Sequence, residues 1–312
     1  MLKLAIGIDI GGTRTKIGLV DLLKGEVLET LIAPTEKTDA LQFLAHIGSA
    51  TDTFKKKASA LGAIIRGIGV GVPSFVFDNG LVDSTYGFLE FMEDYPLVSL
   101  IEERCSLPCR ADNDARAVAL GEALYGKGKG YSRVLVLTLG TGLGLGFTVD
   151  RKFQDKLPYA HMGGHMRIGS KGISCYCGKQ DCLESLVSGT GLREAAIRMD
   201  WEKKYPHLPL NVETIFQSEQ QGNPDAARLV ADFLAYLKIG IDNYINLFAP
   251  DIIIIGGGVG KGMSPYLPQL SFTDFLKPYK SYLVTIALSE LEEHAGILGS
   301  AALFHDTNHK NI

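Results

Sequence analysis

The chain has 312 residues, more than one compact core needs, so two lobes are expected. Hydrophobic residues make up 46% and charged residues 21%, with a net charge of -4 mixed along the chain, which excludes a disordered chain and supplies no basic face for nucleic acid or a membrane surface. Met1 to Asp9 runs straight into a strand pattern and no apolar run approaches the roughly 20 residues of a membrane span, so a cytoplasmic protein without a signal peptide is expected.

Leu4 to Ile8 reads as a buried strand, followed by strands at Ile17 to Val20 and Val27 to Leu31 that are joined through a turn at Lys24-Gly25. Between the first two lies Asp9-Ile10-Gly11-Gly12-Thr13. Its glycines precede a strand, not a helix, which rules against a dinucleotide fingerprint. Paired glycines let backbone N–H groups approach phosphate oxygens, Thr13 adds a hydroxyl, and Asp9 at the strand end suits a hydrated Mg²⁺. A plain hairpin turn explains the same residues equally well when they are taken alone.

A helix is expected from about Asp39 to Ala60, a buried strand over Ile68 to Val72 ended by Pro73, and a short strand over Cys109 to Asp112. Helical character follows from Asn113 to Tyr125. In Asp112-Asn113-Asp114 a strand therefore feeds a helix, and a carboxylate at such a junction has two readings. It is a base for an attacking hydroxyl, which phosphoryl transfer needs, or it is a helix cap. Either Asp112 or Asn113 can be only a cap.

The pattern then restarts. Val134 to Leu139 reads as a strand, Gly140-Thr141-Gly142 as a turn and Leu145 to Val149 as a strand, with Gly144 in the same glycine-rich run. Strand, Gly/Thr turn, strand thus occurs once in each half, as in a duplicated α/β lobe with a cleft between the halves. His165, Cys175, Cys177 and Cys182 form a Cys₃His set that suits a closed tetrahedral Zn²⁺ site, structural because four ligands leave no open position. His161 ranks below His165 as a ligand, because Gly163-Gly164 favours a turn. Pro224 to Phe248 reads as a helix ended near Pro250. Ile252 to Ile255 is an apolar strand running into Gly256-Gly257-Gly258, either a backbone that a flat ring approaches or a tight strand-to-helix connection. A last helix is expected over His294 to Phe304, then a polar, frayed tail from His305 to Ile312.

Together these residues resemble the ROK family of bacterial sugar kinases and sugar-responsive repressors, from Asp9 to about Ala301. The most specific part is His165, nine intervening residues, then Cys-x-Cys-Gly-x-x-x-Cys-Leu-Glu at Cys175 to Glu184, with Asp181 where the family has Gly. The resemblance implies an α/β, two-lobed, actin-like ATPase (ribonuclease H-like) fold with a ligand cleft between lobes. The expected N-terminal lobe is 1–115, completed by the helix over 294–304; the C-terminal lobe, 116–293, carries the zinc site. Asp114 is implied as general base, and Asn113, His165 and Glu184 as sugar ligands. Asp9, Gly11, Gly12 and Thr13 match the first phosphate loop, Gly140, Thr141, Gly142 and Gly144 the second, and Gly256, Gly257 and Gly258 the adenosine-side loop. ATP, Mg²⁺, a structural Zn²⁺ held by His165, Cys175, Cys177 and Cys182, a monosaccharide substrate and a homodimer follow from the same resemblance.

Two departures bear on the substrate. Family kinases carry a sugar-contacting Glu in Glu-x-Gly-His, where this chain has Met162-Gly163-Gly164-His165, and a thioether offers a hydroxyl almost no hydrogen bond. Family kinases also place an Asn after the Gly-Val-Pro strand, and Ser74 and the run Asp83-Ser84-Thr85-Tyr86-Gly87 show no clear match to it. Two alternatives to a kinase are a sugar sensor that keeps the fold, motivated by Met162, and a DNA-binding repressor. The intact Asp114 and both glycine turns oppose the first; Asp9 follows only eight residues, too few for a helix-turn-helix, which opposes the second.

Overall fold

The computed structural model describes residues 2–84, 88–154, 157–270 and 282–306. Thr85, Tyr86 and Gly87, and the expected tail from residue 307, lie outside the described residues. The strands are β1 (Lys3–Ile10), β2 (Arg14–Asp21), β3 (Glu26–Pro34), β4 (Ile64–Val72), β5 (Phe75–Val76), β6 (Val82–Asp83), β7 (Cys109–Asn113), β8 (Arg133–Leu139), β9 (Leu143–Val149), β10 (Ile252–Gly256) and β11 (Thr285–Leu288).

One sheet has the order β3-β2-β1-β4-β7 and another the order β11-β10-β8-β9, while β5 and β6 form a small hairpin. In the first, β1 runs antiparallel to β2 and parallel to β4, which is parallel to β7. In the second, β10 and β11 are parallel. Read from the hairpin partner outward, β2-β1-β4-β7 and β9-β8-β10-β11 are the same order. The repeat visible in the sequence is thus a repeat of sheet topology, without a counterpart of β3 in the second sheet among the described residues.

The chain divides into two compact units: Met1–Val134 with Gly146–His161 and Glu290–Ile312, and Leu135–Leu145 with Met162–Ser289. This division falls later than the residue 115 expected from the sequence, because the Asp114–Tyr125 helix packs on the Ala295–Ala301 helix of the same unit. Their backbones are so close that a Cβ on Gly299 would stand 2.1 Å from the carbonyl oxygen of Ala117. The last helix is also shorter than expected, because 3₁₀ turns at Glu292–His294 and Ala302–Phe304 flank it.

Both faces of the first sheet are covered, so its central strands are apolar almost throughout. On one face Leu4, Ile6, Ile8, Ile68 and Val70 meet Phe43, Ile47 and Phe54 of the Ala40–Ala60 helix. Those three recur at helical spacing, and Asp39 caps the helix by accepting from the N–H groups of Leu41 and Gln42. On the other face Ala5 and Val20 meet Leu120, Leu124, Ile297 and Ala301. In the second unit the Pro224–Phe248 helix has Pro at its first position and Asn223 as cap, and it ends at Ala249, whose φ of 42° turns the chain before Pro250. Among the described residues no helix is long and apolar enough to cross a membrane.

Candidate functional site

The first unit holds two of the expected groups. The β1–β2 turn is closed by the Gly11 N–H donating to the Arg14 carbonyl at 3.0 Å. Thr35, just past β3, fixes its outer side: its Oγ1 donates to the Gly11 carbonyl at 2.7 Å, and its N–H donates to the Thr13 carbonyl at 3.0 Å. Gly12 and Thr13 are exposed at the tip, with nothing within 4 Å of the place a Cβ would take on Gly12. Asp9 ends the strand, and burial pushes its carboxyl up while Lys16 opposes the shift. Its carboxylate fits against Gly296: a Cβ there would lie 2.3 Å from its Cγ. Gly296 and Thr35 escaped the sequence reading, since nothing in a lone Gly or Thr about 285 or 25 residues away marks contact with a turn.

At the β7 junction the three polar residues have separate tasks. Asp112 accepts from the Arg116 Nε at 2.7 Å, and the guanidinium of Arg116 lies 4.4 Å from the centre of the Phe153 ring. Asn113 is the cap: its Oδ1 accepts from the N–H groups of Ala115 and Arg116, and its Nδ2 donates to the Ser74 carbonyl at 3.4 Å. Asp114 is the first residue of the helix, half-buried, with Oδ1 accepting from the Ala115 N–H at 2.8 Å. Asp112 is thus the ion-paired residue and Asn113 the cap, with Asp114 sharing the Ala115 N–H.

The second unit gathers the rest. The β8–β9 turn is closed by the Gly140 N–H to the Gly142 carbonyl at 3.0 Å, and it is fastened by the Gly189 N–H to the Gly140 carbonyl at 2.8 Å and the Thr190 N–H to the Thr141 carbonyl at 3.2 Å. Gly140, Thr141, Gly189, Thr190, Gly258 and Lys261 are among the residues lining one cavity of about 990 Å³. This cavity brings together the expected second phosphate loop and the expected adenosine-side loop. Gly144 lies inside β9, and Gly256 and Gly257 are the strand end and the strand-to-helix corner, where Gly257 has φ 83°. Those three glycines position the loops without being among the cavity's lining residues.

The ligand atoms of His165, Cys175, Cys177 and Cys182 all lie within 4.8 Å of one another. Cys175 Sγ is 3.5 Å from His165 Nδ1, and Cys177 Sγ is 3.6 Å from Cys182 Sγ. A tetrahedron built on zinc–ligand lengths of about 2.3 Å to sulfur and 2.0 Å to nitrogen has edges of about 3.5 to 3.8 Å, which these two separations match, so the donor set is compatible with the ion. Burial holds the His165 imidazole below its ordinary range, as a metal-binding neutral ring requires, and it pushes the Cys182 thiol up to about 12. His161 lies outside this group, its ring tilted by 38° against Phe75 at 5.4 Å between ring centres.

Glu184 joins the metal cluster to the β8–β9 turn. Buried near the start of the Leu183–Val187 helix, it accepts from the Leu143 N–H through Oε1 at 3.2 Å, and its Oε2 is 3.4 Å from His165 Nδ1. Burial raises its pKa, opposed by the Leu143 N–H and the Tyr176 hydroxyl. A Cβ on Gly142 would sit 2.2 Å from Oε1, so the carboxylate's place requires glycine there. Tyr176, unremarked in the sequence reading, completes the group: its hydroxyl lies 3.3 Å from His165 Nε2 and 3.2 and 3.1 Å from the two Glu184 oxygens. The only signal for it was its place between two metal-ligating cysteines.

Known proteins are similar to this chain over nearly all of its length. A glucokinase from Halalkalibacterium halodurans is 30% identical over 315 residues, covering 96% of this chain and 94% of that protein. Among solved structures, the ROK hexokinase of Thermus thermophilus superposes with a TM-score of 0.80 at 27% identity, covering 96% of this chain and 97% of that one. A ROK family glucokinase from Streptomyces griseus, solved in complex with glucose and AMPPNP, superposes with a TM-score of 0.76 at 27% identity, covering 96% of this chain and 98% of that one. These likenesses bear out the expected fold class, an α/β, two-lobed actin-like ATPase fold. The ROK family model itself matches residues 5–307, and on that match the chain belongs to the ROK family.

Proposed function

We propose that the protein transfers the γ-phosphoryl group of ATP to a hydroxyl of a monosaccharide. The observation that carries this reading is the division of labour at the β7 junction. Asp112 pairs with Arg116 and Asn113 caps the helix, while Asp114, the half-buried first residue of that helix, stands at the position that the family resemblance gives to the general base. In the reaction the sugar oxygen bonds to the γ-phosphorus, the bond between that phosphorus and the β,γ-bridging oxygen breaks, ADP departs, and the hydroxyl proton passes to Asp114. The glycine turns supply backbone N–H groups for the phosphates, and the cavity of about 990 Å³ has room for a nucleoside. Asn113, His165 and Glu184 take the sugar's other hydroxyls. Mg²⁺ supplies neutralisation of phosphate charge when bound, and a zinc ion on His165 and the three cysteines supplies rigidity to the loop that carries Tyr176. The relatives' glucokinase and hexokinase activities support the substrate class, while Met162 leaves the particular sugar to be found.

Asp114→Asn tests this reading. Turnover, followed as ADP release over a panel of hexoses, 2-acetamido sugars and ketoses, is expected to fall by about 10² or more, with sugar affinity held within a few-fold. Full retained activity removes Asp114 from the mechanism. Sugars that bind without any turnover in the parent chain favour a sensor, the reading that Met162 supports.

A further inference from the structure

The Tyr176 hydroxyl contacts both residues proposed above as sugar ligands in the second unit, His165 and Glu184. The residue is 53% exposed, so it contributes little to a core. It meets the His165 ring edge-on, at 5.2 Å between centres and 85° between planes. Its hydroxyl, by contrast, reaches inward to three buried acceptor or donor atoms, His165 Nε2 and the two oxygens of Glu184. The phenol donates to the carboxylate of Glu184 and lies within hydrogen-bond distance of His165 Nε2, while His165 Nδ1 faces both Cys175 Sγ and Glu184 Oε2. A sugar hydroxyl has the same inventory, one donor and two lone pairs, and would satisfy the same atoms. The phenol–carboxylate distances of 3.1 and 3.2 Å are long against the usual 2.5–2.7 Å of a charged O–H···O⁻ bond, so the contact is exchangeable.

We propose that Tyr176 is a specificity-determining residue: its phenol hydroxyl occupies a sugar-hydroxyl position on Glu184 and His165 and must be displaced before a fully hydroxylated hexose binds. This rests on the reading of Glu184 and His165 as sugar ligands and deepens it. The chain has two devices that act together. Met162 removes one carboxylate from the sugar's reach, and Tyr176 engages the remaining one. The consequence is weak binding of hexoses such as glucose and a relative preference for sugars that do not need that hydrogen bond.

The test is Tyr176→Phe in the full chain, which keeps the ring against His165 and deletes only the hydroxyl. Glucose binding is measured by calorimetry without nucleotide, beside zinc content and circular dichroism to show that the loop is intact. The variant is expected to bind glucose about five-fold or more tighter, the value of one hydrogen bond returned to the ligand. Equal or weaker binding, or no measurable binding by the variant, overturns the proposal. The kinase reading fails separately. If the variant binds glucose more tightly but neither chain releases ADP with any sugar, the phenol's role stands and the kinase does not. If the parent chain turns over and the variant's affinity is unchanged, the kinase stands and the phenol's role does not.

Discussion

The two glycine turns have one design and different anchors. Each closes a strand pair beside the central strand of its sheet, β1–β2 in the first and β8–β9 in the second. The first is fastened from within its own sheet region, by the hydroxyl and N–H of Thr35. The second is fastened by the segment after the zinc loop, through the N–H groups of Gly189 and Thr190, and its next residue, Leu143, donates to Glu184. The two sheets thus share one strand order while their turns have separate supports. The second turn is tied through Leu143 to Glu184, which itself lies against His165 of the cysteine cluster, while the first is tied to Thr35 just past β3.

The largest effect is expected where that tie begins. Cys182 is fully buried and immediately precedes the Leu183–Val187 helix that carries Glu184. Cys182→Ser should lose the ion and lower Tm by about 5 °C or more, because metal binding is folding free energy. Metal analysis of the parent chain should find about one zinc per chain. A zinc-free parent chain, or a variant with unchanged Tm, breaks the claim that the cluster supports the turn.

A smaller effect is expected at the contact itself. Gly142→Ala brings a methyl to within 2.2 Å of Glu184 Oε1, so the turn or the helix must move. We expect a loss of about 1–3 kcal/mol in urea unfolding, whereas Gly12→Ala at the open tip of the first turn should stay within about 0.5 kcal/mol. Equal stability effects of the two substitutions would erase the difference between the turns.

What was legible in the sequence was whatever local chemistry enforces. The Pro224–Phe248 helix was legible with its bounds because Pro224 and Pro250 mark its ends. The cysteine cluster was legible because metal ligands need close spacing. The lobe boundary was misplaced because nothing in residues 114–125 says that their helix packs on residues 295–301, a contact made by small residues far apart in sequence. Thr35, Gly296 and Tyr176 were missed for a related reason: each acts through one contact with a distant or irregular partner, and a single contact leaves no period to read. The same holds for the contacts at the β7 junction, where Arg116 on Asp112 and the helix N–H groups on Asn113 leave no pattern that would separate the two residues in the sequence.

The smallest predicted effect tests whether each turn answers to its own anchor. Thr35→Val keeps the shape and the N–H bond to Thr13 but deletes the Oγ1 donor, leaving the Gly11 carbonyl and Thr15 Oγ1 each without a partner that they now have. The expected loss is about 1 kcal/mol in urea unfolding. Separate anchors require that this loss add to that of Gly142→Ala within about 0.5 kcal/mol in the double variant. They also require that Thr35→Val leave glucose affinity at the parent value, since none of its hydrogen bonds reaches Glu184 or His165. A coupling energy above that margin, or a shift in glucose affinity, would mean that the turns are linked and that the second anchor is not confined to its own unit.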